Sequence, residues 1–123
     1  MTVRGVRGAT TIVEDREDLI IHETAKLVKK MTEVNGIQAE DIASVILSAT
    51  TDIKSAFPAK AVRSIEGWKY VPVMSTHEMD VPGSLPLCIR VMMHVNSTKT
   101  QKQIEHIYLN EAIKLRPDLV AKS

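Results

Sequence analysis

Residues 87–96 read Leu-Cys-Ile-Arg-Val-Met-Met-His-Val-Asn, an apolar run with one arginine inside it. No other segment constrains the chain as strongly. Its length and composition predict a buried strand. Side chains along a strand alternate between two faces. Ile89, Val91, Met93 and Val95 therefore share one face, and Cys88, Arg90, Met92 and His94 share the other. A guanidinium keeps its charge in a protein, and an unpaired buried charge is very costly. Arg90 must meet an internal carboxylate or face an anionic ligand.

The other segments supply a sheet and its cover. Residues 2–11 carry valines and threonines and read as a first strand, with Val3, Gly5 and Arg7 on one face. Asp15 is the expected N-cap of a helix whose first turn holds Glu17 and Asp18, where carboxylates suit the helix dipole. Ile20, Thr24, Leu27, Met31 and Val34 recur at helical spacing, and Asn35-Gly36 is a stop signal. Residues 43–50 read as a strand buried on both faces, and residues 51–56 as a polar loop. Pro58 opens a short helix running toward Ile65 and closed by Gly67. Residues 68–74 read as a strand, with Pro72 at an edge or bulge, followed by a long connection over residues 75–86. A last short strand falls within residues 104–109, and residues 115–123 read as a mobile tail. The order β-α-β-α-β-β-β predicts one α/β (α+β) domain over residues 1–123, a mixed sheet with helices on one face. The other face is left without cover, which predicts self-association.

Composition narrows the function classes. The net charge is +1, so no global field favours nucleic acid or an anionic membrane, and no apolar stretch is long enough to span a bilayer. The first residues lack the apolar core of a signal peptide, and the single cysteine, Cys88, fits a reducing cytoplasm. Cys88 sits in the apolar strand, where a lone cysteine is inert core rather than a nucleophile. His22, His77, His94 and His106 are scattered and have no metal-site spacing. Gly5 and Gly8 beside Arg7 do not form a phosphate loop, because no lysine motif follows. What remains is a set of cations. Lys60 and Arg63 share a face of the short helix, Arg7 ends a strand, and Arg116 precedes a proline. Each alone reads as a surface charge, Glu78 as a salt-bridge partner, and Tyr108 as core with a bonded hydroxyl. They acquire a common purpose only if they converge on Arg90.

Eight blocks occur in order: residues 4–11 (Arg-Gly-Val-Arg-Gly-Ala-Thr-Thr), 47–50, 57–63 (Phe-Pro-Ala-Lys-Ala-Val-Arg), 70–73, 78–81 (Glu-Met-Asp-Val), 88–93 (Cys-Ile-Arg-Val-Met-Met), 106–109 and 115–119 (Leu-Arg-Pro-Asp-Leu). Together they resemble the small monofunctional chorismate mutases of the trimeric α/β class, from the first residues to Leu119. The resemblance implies a homotrimer whose sheets form a pseudo α/β-barrel, with active sites at subunit interfaces. It implies a cofactor-free and metal-free isomerase that turns chorismate into prephenate in phenylalanine and tyrosine biosynthesis. Arg90 matches the residue on the ether oxygen and a substrate carboxylate, and Arg7 and Tyr108 match carboxylate ligands. Glu78 matches the acceptor of the ring hydroxyl. Phe57, Ala59, Lys60, Arg63, Val73, Met74, Ser75 and Leu115 match pocket-lining positions, with Arg63 and Arg116 nearer the entrance. Two positions depart from the pattern: the family often has cysteine at Ser75 and a smaller residue at Met74.

The residues themselves suit the chemistry that the resemblance implies. Chorismate carries two carboxylates, which suits several converging cations. The rearrangement is intramolecular, so it requires a held conformer and stabilised charge rather than a nucleophile. The alternatives are a non-catalytic anion-binding regulatory trimer and an imine-hydrolysing enzyme of similar architecture.

Overall fold

The computed structural model describes residues 1–115. Strand β1 (Thr2–Thr11) is followed by helix α1 (Glu17–Asn35), strand β2 (Ile42–Ala49), helix α2 (Ala59–Arg63), and strands β3 (Val73–His77), β4 (Cys88–Ser97) and β5 (Ile107–Tyr108). The five strands make a single sheet in the order β3-β2-β4-β1-β5. β4 lies at its centre, antiparallel to both β1 and β2, while β3 and β5 run parallel to β2 and β1.

α1 and α2 cover one face. Ile20, Thr24, Leu27, Val28 and Met31 form the buried stripe of α1, and they pack with Val6, Val45, Leu47, Ile89, Val91, Met93 and Val95 of the sheet. Gly8 shows how close this approach is: a Cβ there would lie 2.5 Å from Met31 Sδ and 3.1 Å from Leu27 Cδ1. α1 ends at Gly36, whose φ of 64° is the left-handed conformation glycine adopts without a Cβ penalty.

Several expectations need correction. Asp15 does not cap α1; Arg16 occupies that position, and the Asp15 carboxylate instead accepts the main-chain N–H groups of Lys54 and Ser55, both at 3.0 Å. Residues 68–72 form no strand, with a turn at Lys69 and Tyr70, and the strand predicted over 68–74 begins only at Val73 and runs to His77. Pro72 has no N–H to give a ladder, so pairing starts one residue later. The segment 43–50 is buried on the helix side alone: Ile46 is 39% exposed and Ser44 and Ser48 are half-buried. No helix among the described residues is long and apolar enough to cross a membrane.

Candidate active site

The register of the sheet lines up the candidate residues. One cross-strand row runs Thr76, Ser48, Arg90, Ala9, Tyr108, and the next runs Met74, Ile46, Met92, Arg7. Alternation places both rows on the face away from the helices. One end of this open face is roofed by the 3-10 turns of Asn110–Leu115, where Ala112 and Leu115 pack with Ala9, Cys88 and Tyr108. Beside that roof lies a cavity of about 190 Å³ lined by Arg7, Ile46, Ser48, Arg90, Met92, Tyr108 and Leu115.

Arg90 finds its carboxylate. Its Nε lies 2.9 Å from Glu78 Oε2, with the two side chains 39% and 24% exposed. The N–H does not point along that line, so the contact is an ion pair by distance but leaves the buried donor without an aligned hydrogen bond. Glu78 also accepts from Ser48 Oγ at 3.4 Å and from the Met79 N–H at 3.1 Å. The Tyr108 hydroxyl is buried with no partner among the described residues, contrary to a satisfied core tyrosine. A buried polar group without a partner is rare and costly, and here the Tyr108 hydroxyl and the misaligned Nε of Arg90 line one concave surface with Arg7. Its chemistry suits an oxyanion.

The strand that carries Arg90 is pinned at its start. Leu87 has a φ of 48°, a left-handed conformation that costs a residue with a Cβ about 1 kcal/mol or more. Its N–H donates to Asp52 Oδ2 and the Cys88 N–H to Thr50 Oγ1, both at 3.0 Å, which holds the chain in that turn. Cys88 itself is core, as the sequence predicts. Burial pushes its thiol above the usual range, and Arg90 offsets this only in part.

The remaining candidates gather elsewhere. A second cleft, of about 740 Å³, is lined by Phe57, Lys60, Ser75, Thr76, His77 and residues 53–56 among others. Ser75 and His77 pair with Leu47 and Ala49, so this cleft opens on the helix side of edge strand β3. The Ser75 hydroxyl is buried there without a partner among the described residues. Lys60 lies 3.4 Å from Glu17 in an exposed pair, Arg63 is exposed on α2, Ala59 is buried beneath that helix, Val73 is half-buried, and Met74 is exposed on the open face. Arg116 lies outside the described residues, as does most of the tail. The structure thus joins Arg7, Glu78, Arg90, Tyr108 and Leu115, and sets Phe57, Lys60 and Ser75 on the opposite side of the sheet.

Two contributors escaped the sequence reading. Ser48 faces Arg90 across β2 and β4; the apolar look of residues 43–50 hid its exposure to the open face. His106 accepts the Arg7 main-chain N–H at 2.9 Å, a contact between residues far apart in sequence.

Comparison with known proteins matches this architecture. The family model for chorismate mutase type I matches residues 3–119. The chain is 50% identical over 119 residues to chorismate mutase AroH of Bacillus subtilis, covering 97% of this chain and 94% of that protein. It is also 50% identical over 118 residues to chorismate mutase AroH of Thermus thermophilus, covering 95% and 96%. The solved structure of a chorismate mutase from Clostridium thermocellum superposes with a TM-score of 0.85 at 51% identity, covering 88% of this chain and 96% of that one.

Proposed function

The chain belongs to the type I chorismate mutase family, and from that premise we propose that its active site forms where the open-face cavity of one subunit meets the α2-side cleft of a neighbour in a homotrimer. The chain is a chorismate mutase, an isomerase that converts chorismate to prephenate on the route to phenylalanine and tyrosine. One observation carries the site assignment: Arg7, Arg90 and a Tyr108 hydroxyl without a partner among the described residues line one small cavity, and Glu78 pairs with the Arg90 that lines it.

Three features support the trimer. The cavity of about 190 Å³ is smaller than the roughly 300–1,000 Å³ of complete small-molecule sites. The second cleft opens on the other side of the sheet, so one bound molecule needs two chains to touch both. Val3, Ile46 and Met74 are exposed on the open sheet face, an apolar surface that association buries. The single domain acts in the cytoplasm, consistent with its one buried, reduced cysteine.

The reaction breaks one carbon–oxygen bond and forms one carbon–carbon bond within the same molecule. No proton or electron passes to the protein. The enzyme's work is to hold the compact conformer and to stabilise the ether oxygen as it becomes negative. Arg90 supplies the cation at that oxygen and takes a carboxylate. Arg7 and Tyr108 take a carboxylate, and Glu78 accepts from the ring hydroxyl. Phe57, Lys60, Arg63, Val73 and Ser75 of the neighbour, with Met74 and Leu115, close the pocket. Before substrate arrives Glu78 neutralises Arg90, which limits the cost of an idle charge in a half-buried site.

The test is turnover. Purified protein should consume chorismate and release prephenate, and sedimentation equilibrium should give a trimer. Binding of chorismate without turnover supports an anion-binding module instead. An active monomer at micromolar concentration overturns the shared-site reading.

A further inference from the structure

On the β5 side of β1, one histidine takes the place of a strand. β5 pairs with β1 only through Gly8 with Ile107 and Ala9 with Tyr108. One further step of a parallel ladder would bring the Glu105 carbonyl to the Arg7 main-chain N–H. That carbonyl is engaged elsewhere. Asn35 Nδ2 donates to it at 2.9 Å, and the Glu105 N–H donates to Asn35 Oδ1 at 2.8 Å. Asn35 is buried at the end of α1, so this clamp draws the main chain at Glu105 away from β1. The Arg7 N–H donates to His106 Nδ1 instead, at 2.9 Å. A main-chain N–H can only donate, so Nδ1 must carry a lone pair. This contact requires a neutral ring with its proton on Nε2.

We propose that His106 is a positioning residue for the reaction: its Nδ1 completes the β1–β5 pairing and thereby fixes Arg7 relative to Tyr108. The proposal rests on the reading of Arg7 and Tyr108 as carboxylate ligands. The two stand on the strands this bond ties together, and both line the cavity. The Leu109 N–H donates to the Ala9 carbonyl at 2.9 Å and holds the far end of the same short pairing. Without the imidazole acceptor, the N–H of Arg7 has no strand partner on that side. The main chain of β1 is then free to shift where its guanidinium must meet a carboxylate in a narrow range of geometry. A carboxylate is held equally in bound substrate and transition state, so the loss falls on binding more than on the chemical step.

The test uses the full-length protein. His106→Leu removes the acceptor at similar bulk. His106→Asn keeps one, because its Oδ1 hangs from Cγ as Nδ1 does. His106→Leu should raise the KM for chorismate roughly tenfold, the size expected for one lost hydrogen bond, with kcat within about threefold. His106→Asn should restore most of that loss. In the unaltered protein, the ring nitrogen shifts of His106 at neutral pH should report a proton on Nε2 and a bare Nδ1. A proton on Nδ1 overturns the proposal. So does a folded, trimeric His106→Leu with unchanged KM, or a His106→Asn as impaired as His106→Leu. If His106→Leu does not fold, the nitrogen shifts and the Asn variant decide. A large Arg7→Ala defect beside an unaffected His106→Leu sinks this proposal alone. An Arg7→Ala variant with normal kinetics sinks the carboxylate reading and the proposal together.

Discussion

Glu78 offers a test in which two readings predict opposite results. Its carboxylate lies 2.9 Å from Arg90 Nε, with the pair partly exposed at 24% and 39%. If this were only a structural ion pair, its removal would be a small matter of stability. Partly exposed pairs contribute about 0–1 kcal/mol, so Glu78→Gln should shift the unfolding free energy by no more than about 1 kcal/mol. The catalytic reading demands more from the same change. A hydrogen bond to a charged acceptor contributes about 1.5–3 kcal/mol against about 0.5–1.5 for a neutral one. Glutamine keeps a neutral oxygen for the substrate's ring hydroxyl and loses the difference, about 1–1.5 kcal/mol. Since about 1.4 kcal/mol is tenfold in rate, Glu78→Gln should lower kcat/KM about tenfold. Alanine loses the whole bond and should lower it by up to about a hundredfold. Part of either loss is offset because Arg90, freed from its partner, attracts the dianion more strongly. The assay is steady-state loss of chorismate absorbance, alongside thermal unfolding of the three forms. Equal activity in all three would show that Glu78 lies outside the site. A glutamine variant worse than alanine would refute the acceptor role.

Other expectations follow from the same geometry. Lys60→Ala and Arg63→Ala should raise KM more than they lower kcat, and the effect should shrink in high salt, because exposed cations act in encounter and ground-state binding; a kcat defect at unchanged KM contradicts this. Gly8→Ala should destabilise the fold by about 1–3 kcal/mol in urea unfolding, since its Cβ would press on the fully buried Met31 and Leu27; unchanged stability would show that α1 yields freely. The Asp15 carboxyl is held below its ordinary range, chiefly by the main-chain N–H of Lys54 that it accepts. A depressed carboxyl contributes its stabilisation above the usual aspartate range and loses it as pH falls through the lower folded value. The amide shifts of Lys54 and Ser55 should therefore titrate together with a midpoint below the usual value of about 3.9, and that titration should vanish in Asp15→Asn. A midpoint above that value contradicts the tether.

The sequence reveals the elements of this fold better than their meeting points. The alternation through residues 88–95 separates Ile89, Val91, Met93 and Val95 from Arg90 correctly, because strand periodicity is local. The helical spacing from Ile20 to Met31 likewise survives folding, and Gly36 ends the helix as expected. Asp15 misled because a carboxylate before a helix has more than one use, and here the N–H groups of Lys54 and Ser55 compete for it. Residues 68–72 looked like a strand by composition, yet Pro72 delays the ladder. The Arg90–Glu78 pairing spans a loop that no periodicity describes. The division of the family-matched residues between two sides of the sheet was equally hidden, since it depends on which face each strand turns to the helices. His106 and Asn35 act through contacts between distant segments, which a reading along the chain does not reach.

The central claim is that a fixed guanidinium on the open face of the sheet stabilises the ether oxygen as its bond breaks. Only an interaction stronger in the transition state than in bound substrate accelerates the step. The most direct measurement is the kcat for chorismate of Arg90→Ala, on protein shown to be folded and trimeric. Loss of one preorganised donor costs about 3–4 kcal/mol, so kcat should fall at least about a hundredfold. Arg90→Lys should also be largely inactive, because one ammonium cannot bond the ether oxygen and a carboxylate in the geometry of the planar fork. A folded, trimeric Arg90→Ala with near-normal kcat would contradict the account.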